Sequence, residues 1–490
     1  MSNLYRKFVS PLFIFLVALA CVSCGGGDGP LAGGGIGGTG ITTGSVTGFG
    51  SIFVNGVEFD TAGASRDIDD VLSVGNGTDD ADVLGIGMVV TVTGTVNADG
   101  VTGTATSISY DEIVEGPIAA EPDEDIDMQT KIFEVLGITV IADSNATVFV
   151  DTDYSSLVIN QVVEVSGFFD ASDRLIATRI EDQGGSTGVE LRGTVRGFNG
   201  VDSFMLGDVE VTFDGTTVFE DLPGIVADDQ FVEVAGTLDA NTVMASRIEL
   251  EDEGFSEGDA ISLEGIVSNF SGLNSFFVSG QEIDATAAIF SPTSLAASLG
   301  NDQQIEVEGE IIAGVLIATE VEQRQGDITI AGLVVGNVGD GSLDIEVVSG
   351  QPPIPVSTDA QTQLEDEQFE LQPFSLADLT VDVDEVVIEG YLDDAGNVIV
   401  AQLKRKVLEN YELQGPVDAA GGNAGSGSVT ILGVTMQTDG ATGFEDANDD
   451  PFPNGGDDFF GQVSPGDLVK VEDDALAGLD GFADEVEFEN

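Results

Sequence analysis

The sequence predicts an all-β protein, a tandem array of about six small five-stranded barrels, each with at most one short helix. Three observations predict it. One pattern of segments recurs six times, at spacings of 67 to 83 residues. Within each copy, apolar and polar residues alternate with the period of two that marks a half-buried strand. The alternating runs are separated by Gly, Asn and Asp, whose backbone freedom or short polar side chains suit tight turns.

Each copy opens with a strand carrying Gly-x-Val or close to it. These are Gly44-Ser45-Val46, Gly116-Pro117-Ile118, Gly193-Thr194-Val195, Gly265-Ile266-Val267, Gly332-Leu333-Val334 and Gly415-Pro416-Val417. A second and third strand follow, joined at a glycine, as in Ile52–Phe59 around Asn55-Gly56 and Phe276–Ile283 around Ser279-Gly280. Next comes a connector that can hold one short helix. Ser291–Gly300 is the clearest, with Pro292 near the start and Gly300 at the stop, and Tyr154–Val158 and Phe374–Leu379 are similar. A hairpin closes the unit. In Val232–Glu249, Val232 and Val234 alternate with Glu233 and Ala235, and Asp239 and Asn241 supply the turn. On its return strand, strict alternation puts Met244, Ser246 and Ile248 on one face and Ala245, Arg247 and Glu249 on the other. The outgoing strand recurs as Val90–Gly94, Val163–Gly167, Ile305–Gly309 and Val386–Gly390; in the sixth copy Asp473 stands where the glycine belongs. The return strand recurs as Ala177-Thr178-Arg179-Ile180-Glu181 and Ala318-Thr319-Glu320-Val321-Glu322.

Five strands with one helical connector between the third and fourth, in about 70 residues, is the order of an OB-type barrel. An immunoglobulin-like sandwich needs about seven strands in about 100 residues. A parallel β-helix repeats over a much shorter period. The expected division is a signal segment over 1–23, a glycine-rich tether over 24–41, and units at 42–112, 113–187, 188–256, 257–325, 326–408 and 409–490, the last degenerate. Units of this size are marginal alone. They either pack on one another or hang as a flexible string, and short linkers such as Gln323-Arg324-Gln325-Gly326 are compatible with both.

Composition excludes several function classes. The 490 residues carry 14 Lys and Arg against 88 Asp and Glu, a net charge of -74. Nucleic acid binding needs the opposite sign, because Lys and Arg must replace counterions at phosphates. The one local basic cluster, Lys404-Arg405-Lys406, reads as a strand end balancing nearby acids. Histidine is absent, which removes the commonest general base and metal ligand. The only cysteines, Cys21 and Cys24, lie near the N-terminus, so the rest of the chain holds no disulfide or thiolate metal site.

Arg6 and Lys7 precede an apolar run, Phe8–Ala20, too short to span a bilayer and suited to a signal peptide. The segment Ala18-Leu19-Ala20-Cys21-Val22-Ser23-Cys24-Gly25 resembles the lipobox of bacterial lipoproteins, cut before a cysteine that carries lipid. Cys24 leads directly into the glycine tether and is the expected lipidation site, with Cys21 as the alternative. Neither is followed by Asp, which in that family implies sorting to the outer membrane. Cleavage at Cys24 removes both Arg6 and Lys7 and no acid, leaving a charge of 12 − 88 = −76.

Further residues carry a wider resemblance. Gly37-Gly38-Thr39-Gly40, the run Gly48-Phe49-Gly50-Ser51-Ile52-Phe53-Val54-Asn55-Gly56, and the recurring Val-Glu-Val-x-Gly and Ala-Thr-Arg-Ile-Glu pieces are similar to a family of Gram-negative lipoproteins. These contain a repeated domain of unknown function with OB-like barrels. The resemblance covers about 36–490 and implies no catalytic residues.

Candidate chemistry is confined to acidic loops. In the sixth unit, Asp446, Asn448, Asp450, Asp457 and Asp458 place oxygen ligands at spacings suited to Ca²⁺. The match to an EF-hand loop fails, because Pro451 stands at the glycine position. Hairpin tips such as Asp99, Asp170, Asp239 and Asp393 fit turn geometry, and Phe204, Phe276 and Phe277 fit the core. The expectation is a non-enzymatic, lipid-anchored protein of the cell envelope that needs no cofactor. It would bind or scaffold protein or glycan partners and would not bind nucleic acid. A Ca²⁺-binding surface protein is the alternative, and a glycan-cleaving enzyme using two carboxylates a more distant one.

Overall fold

The computed structural model describes residues 38–69, 71–75, 80–110, 112–124, 129–222, 224–251, 255–339, 341–408, 410–423, 425–447, 450–474 and 481–489. The signal segment, Cys21, Cys24, most of the tether and Asn448 lie outside them. Unit 3 shows the common plan. Its first strand, Val189–Arg196, pairs with the second, Ser203–Leu206, and the second with the third, Val209–Thr212. The third runs parallel to the fifth, Thr242–Leu250; the fifth pairs with the fourth, Phe231–Asp239, and the fourth returns to the first. The ring order 1-2-3-5-4-1 closes the barrel, as the OB-type expectation requires. Units 1, 4 and 5 make the same ring. Unit 2 is joined between its first and second strands by the single bridge Ile118↔Val135, and unit 6 between its third strand and the approach to its fifth by Gln437↔Phe482. Short helices sit in the connectors at Tyr154–Ser156, Leu295–Ser298, Leu376–Asp378 and Gly456–Gln462.

The joint between second and third strands follows from its residues. Asn55 and Gly56 both take positive φ, at 48° and 74°, as a two-residue hairpin with the sheet's own twist demands. The first strand of unit 1 spans Gly38–Phe49, so it begins inside the stretch assigned to the tether. Gly38–Ser45 form a ladder with Val89–Val96, which fixes residues that their glycine content alone would leave loose.

The closing hairpin corrects the alternation drawn from sequence. Gly236 faces Ala245, but Ala235 faces Arg247, so Ser246 is an extra residue in a β-bulge. The phase flips there. Met244 points outward and is 54% exposed, whereas Val243 and Ile248 are both fully buried. Ala245 turns to the core, while Arg247 and Glu249 stay at the outer surface. The same shift occurs at Thr93/Gly94, Ser166/Gly167, Glu308/Gly309 and Glu389/Gly390.

This bulge explains both recurring motifs. A Cβ on Gly236 would sit closer than 3.0 Å to Met244 O, a backbone atom with nowhere to go, and Gly94, Gly167, Gly309 and Gly390 face equivalent carbonyls. The inserted residue is Ser or Thr in four of the five units. Ser246 Oγ donates to Ala235 O (3.1 Å), Thr319 Oγ1 to Glu308 O (3.1 Å) and Thr106 Oγ1 to Thr93 O (2.9 Å), satisfying a carbonyl at the irregularity. In unit 6 the ladder runs unbroken from Val469↔Phe488 to Glu472↔Glu485 and ends before Asp473, so that residue lies outside the pairing in which the glycines of the other units meet a carbonyl.

The units are docked in pairs through their first strands. Unit 1 joins unit 4 in parallel register, Ile41↔Ile261 to Thr43↔Leu263. Unit 2 joins unit 3 antiparallel through Val114↔Leu191 and Glu115↔Glu190. Unit 5 joins unit 6 through Thr329↔Gln414 to Ala331↔Glu412. Units 2 and 3 share one hydrophobic core, as do units 5 and 6, while units 1 and 4 keep separate cores.

Candidate functional site

Docking buries part of the outward-facing rows that alternation assigns to solvent. The glutamate of Val-Glu-Val is buried in three units, as Glu164, Glu233 and Glu306. Where units 1, 2 and 3 meet, carboxylate oxygens of Glu112, Glu115 and Glu190 lie within 4.8 Å of one another, as do those of Asp69, Glu112 and Glu164. Tyr110 Oη, at the end of the fifth strand of unit 1, donates to Glu164 Oε1 (2.6 Å). Arginines meet this cluster at Glu190. Arg247 Nη2 donates to Glu190 Oε1 (2.8 Å) and also binds Glu233, which accepts from Arg192 Nη2 (2.8 Å). Burial and then the neighbouring Asp69 push Glu112 up to about 9. Burial and then Glu112 push Glu190 up to about 9. Charged forms are disfavoured away from water and beside like charges, so these groups hold protons at neutral pH. They can share those protons between carboxyls or exchange them for a cation.

A second feature is a cleft of about 1590 Å³ between units 1, 2, 5 and 6. Twelve carboxylates and three cations, Arg179, Lys406 and Lys470, line it. Apolar side chains, among them Phe49, Phe149, Leu371 and Phe374, interrupt the charged wall. Glu412 reaches it from the first strand of unit 6, almost wholly buried. Its Oε2 accepts from Gln129 Nε2 of unit 2 (2.9 Å), while Oε1 accepts no hydrogen bond. Burial and then Glu472 push Glu412 up to about 8.

The acidic residues singled out in unit 6 occupy a different place. Asp450 N donates to Asp446 Oδ1 (3.4 Å), joining those two residues. Asp457 and Asp458 open the helix Gly456–Gln462, and the Asp458 carboxylate accepts from Asn454 N (2.9 Å) and Nδ2 (3.0 Å). Among the described residues the structure gathers three-carboxylate groups at the 1–2–3 junction and not here. Hairpin-tip acids serve their turns: Asp99 accepts from Thr102 N (3.1 Å), and Asp393 from Ala395 N (2.8 Å). Phe204 and Phe276 are core residues, and Phe277 is half-buried.

The basic cluster balances acids, as its sequence implied. Arg405 Nε donates to Asp366 Oδ1 (2.8 Å), Nη1 donates to Asp384 Oδ2 (3.2 Å), and the guanidinium lies 4.8 and 4.7 Å from the ring centres of Phe369 and Phe374. Lys404 Nζ pairs with Glu365 (3.4 Å) and donates to Thr147 O of unit 2 (2.9 Å), tying unit 5 to unit 2.

Sequence reasoning missed Glu112, Glu190 and Glu412: Glu190 and Glu412 stand on the row of a first strand that alternation turns outward, and Glu112 lies in the connector between Tyr110 and Val114. The signal available was positional: Glu190 and Glu412 each stand three residues before the glycine of the opening motif, Gly193 and Gly415.

A family model described as a domain of unknown function, DUF5666, matches residues 115–181, 192–249, 264–322 and 414–487, together more than half of the chain. The chain belongs to the DUF5666 family. The DUF5666 segments fall in units 2, 3, 4 and 6, so the family pattern extends to the copy that lacks the bulge glycine. Each segment runs from the first strand of a barrel to its fifth, making the DUF5666 repeat a β-barrel module. No curated protein matches the chain.

Proposed function

We propose that this protein is a non-enzymatic, lipid-anchored component of the cell envelope, sorted to the outer membrane, whose docked barrels bind or scaffold protein or glycan partners. The observation that carries the binding role is the inter-barrel cleft, a large concave surface built by four separate modules. The anchor rests on the cysteine box at Cys24, with Cys21 as the alternative, and on the glycine run behind it. The absence of histidine supports a non-enzymatic role, since a serine nucleophile here lacks its usual base. The charge of -74 argues against nucleic acid. Labelling cells with radioactive palmitate tests the anchor: Cys24→Ser loses the label and Cys21→Ser keeps it. Absence of label from the unaltered protein overturns the anchor. Chemical cross-linking in intact envelopes tests the partner role, which recovery of the uncrosslinked chain alone would contradict.

The carboxylates gathered at the 1–2–3 junction favour a second reading, in which a divalent cation such as Ca²⁺ displaces the shared protons. Millimolar Ca²⁺ then raises the melting temperature relative to EDTA, and Glu112→Gln removes the rise. Equal melting temperatures refute it.

A further inference from the structure

The cleft has a charge pattern that selects a ligand class. Its three cations are already engaged. Lys470 Nζ pairs with Glu487 (2.9 Å), Arg179 Nη2 donates to Glu181 Oε2 (2.5 Å), and Lys406 Nζ reaches Asn145 Oδ1 (3.5 Å). Arg405 and Lys404 pair with Asp366 and Glu365 among the twelve acids, and the remaining acids still outnumber the cations, so their field is negative and is focused between the low-dielectric walls of the cleft. An acidic wall alone would describe much of this protein. Glu412 sets the cleft apart: its residue is only 4% exposed, and its Oε1 is desolvated without a donor. Such an acceptor is costly to leave unmet. The volume of about 1590 Å³ exceeds the roughly 300–1,000 Å³ usual for single small molecules. Apolar side chains set between the acids suit the aliphatic stems of long cationic residues.

We propose that this cleft binds an extended lysine- or arginine-rich peptide segment, with one of its cationic groups donating to Glu412 Oε1. The inference rests on the binding role and names the chemistry of what is bound. A cation brought against Glu412 favours its ionised form, reversing the effect of burial. Binding near neutral pH therefore releases protons, which a merely diffuse attraction to the surface would not do at this residue.

The test is calorimetric titration of the full chain with hexalysine, in two buffers of different ionisation enthalpy, to read affinity and proton release together. Because the whole protein is acidic, two charge-matched variants separate the cleft from the general surface. Val158→Arg adds a cation to the cleft wall at a half-exposed position, and Val201→Arg adds one to an exposed loop of unit 3. Val158→Arg weakens binding by at least about tenfold, the loss of roughly one charge-assisted contact, while Val201→Arg changes it less than about twofold. Glu412→Gln abolishes the proton release; if that variant does not fold, the arginine pair still decides. Equal weakening by the two arginine variants overturns the proposal, as does binding to many equivalent sites. Spermine binding as tightly as hexalysine assigns the cleft to free polyamines and overturns the peptide assignment. No titration signal, with a specific partner cross-linked in envelopes, overturns this ligand class and leaves the binding role standing.

Discussion

Substituting Gly236 by Ala tests whether the bulge, and not mere turn-like flexibility, requires the recurring glycine. The new methyl group would meet Met244 O and the adjoining carbonyl carbon at less than 3.0 Å. Both atoms belong to the paired strand, so relief requires the strands to separate. Overpacking of this kind costs about 1–3 kcal/mol. The loss of unfolded-chain freedom on replacing glycine returns about 0.4–1 kcal/mol. The net destabilisation is about 1–2 kcal/mol, and six docked barrels do not unfold as one two-state unit. Amide hydrogen exchange is therefore the suitable assay, read by mass spectrometry on peptides within 231–250. In the equilibrium regime the exchange of these amides accelerates about 5–30-fold. Gly421→Ala is the control, because a Cβ there meets no atom within 4 Å and its backbone is compatible with any residue. It leaves exchange unchanged or slows it. If Gly236→Ala matches that control, the close approach is not what fixes the glycine.

Asp366→Ala leaves Arg405 without its bidentate partner in a buried site, at a cost of about 3–5 kcal/mol; exchange in unit 5 should accelerate far more than in unit 3, and uniform exchange would contradict it. Stability should fall as pH rises. Glu112, Glu190, Glu306, Glu308, Glu389 and Glu412 are raised from 4.5 to about 8 or 9 in the folded chain, so folding takes up protons between those limits. Their favourable protonated state is complete below pH 4.5 and is lost as pH climbs through 8 to 9. The melting temperature at pH 6 should exceed that at pH 9, with Glu112→Gln flattening the slope; a melting temperature that rises with pH would refute the assignment.

The barrel itself was legible in the sequence because its causes are local. Alternation, the Asn55-Gly56 type of joint and the Pro292 and Gly300 boundaries each act within a few residues, and together they give strand count and order. The bulge was half legible. Glycine and the Ala-Thr/Ser pair recur in phase, but the flip at Ser246 depends on two strands read against each other. The candidate sites were not legible. Glu164 and Glu412 follow the alternation of exposed residues, and only contact with another barrel removes them from water. The pairing of Ile41 with Ile261 spans 220 residues of separation by subtraction, and no local pattern encodes it.

That pairing also bears on how the chain reaches its native state. The first barrel emerges first, yet the strand it docks against belongs to the fourth. Units 2 and 3 pair with each other, as do 5 and 6, so those neighbours can form early from contacts close in the chain. Until unit 4 arrives, the edge at Ile41–Thr43 presents unpaired backbone groups, a template for the wrong partner. Unit 1 is thus the point at which folding competes with aggregation. A fragment ending before unit 4 should associate with itself, whereas one ending after unit 4 should not, because its first strand has then found the partner it was built for.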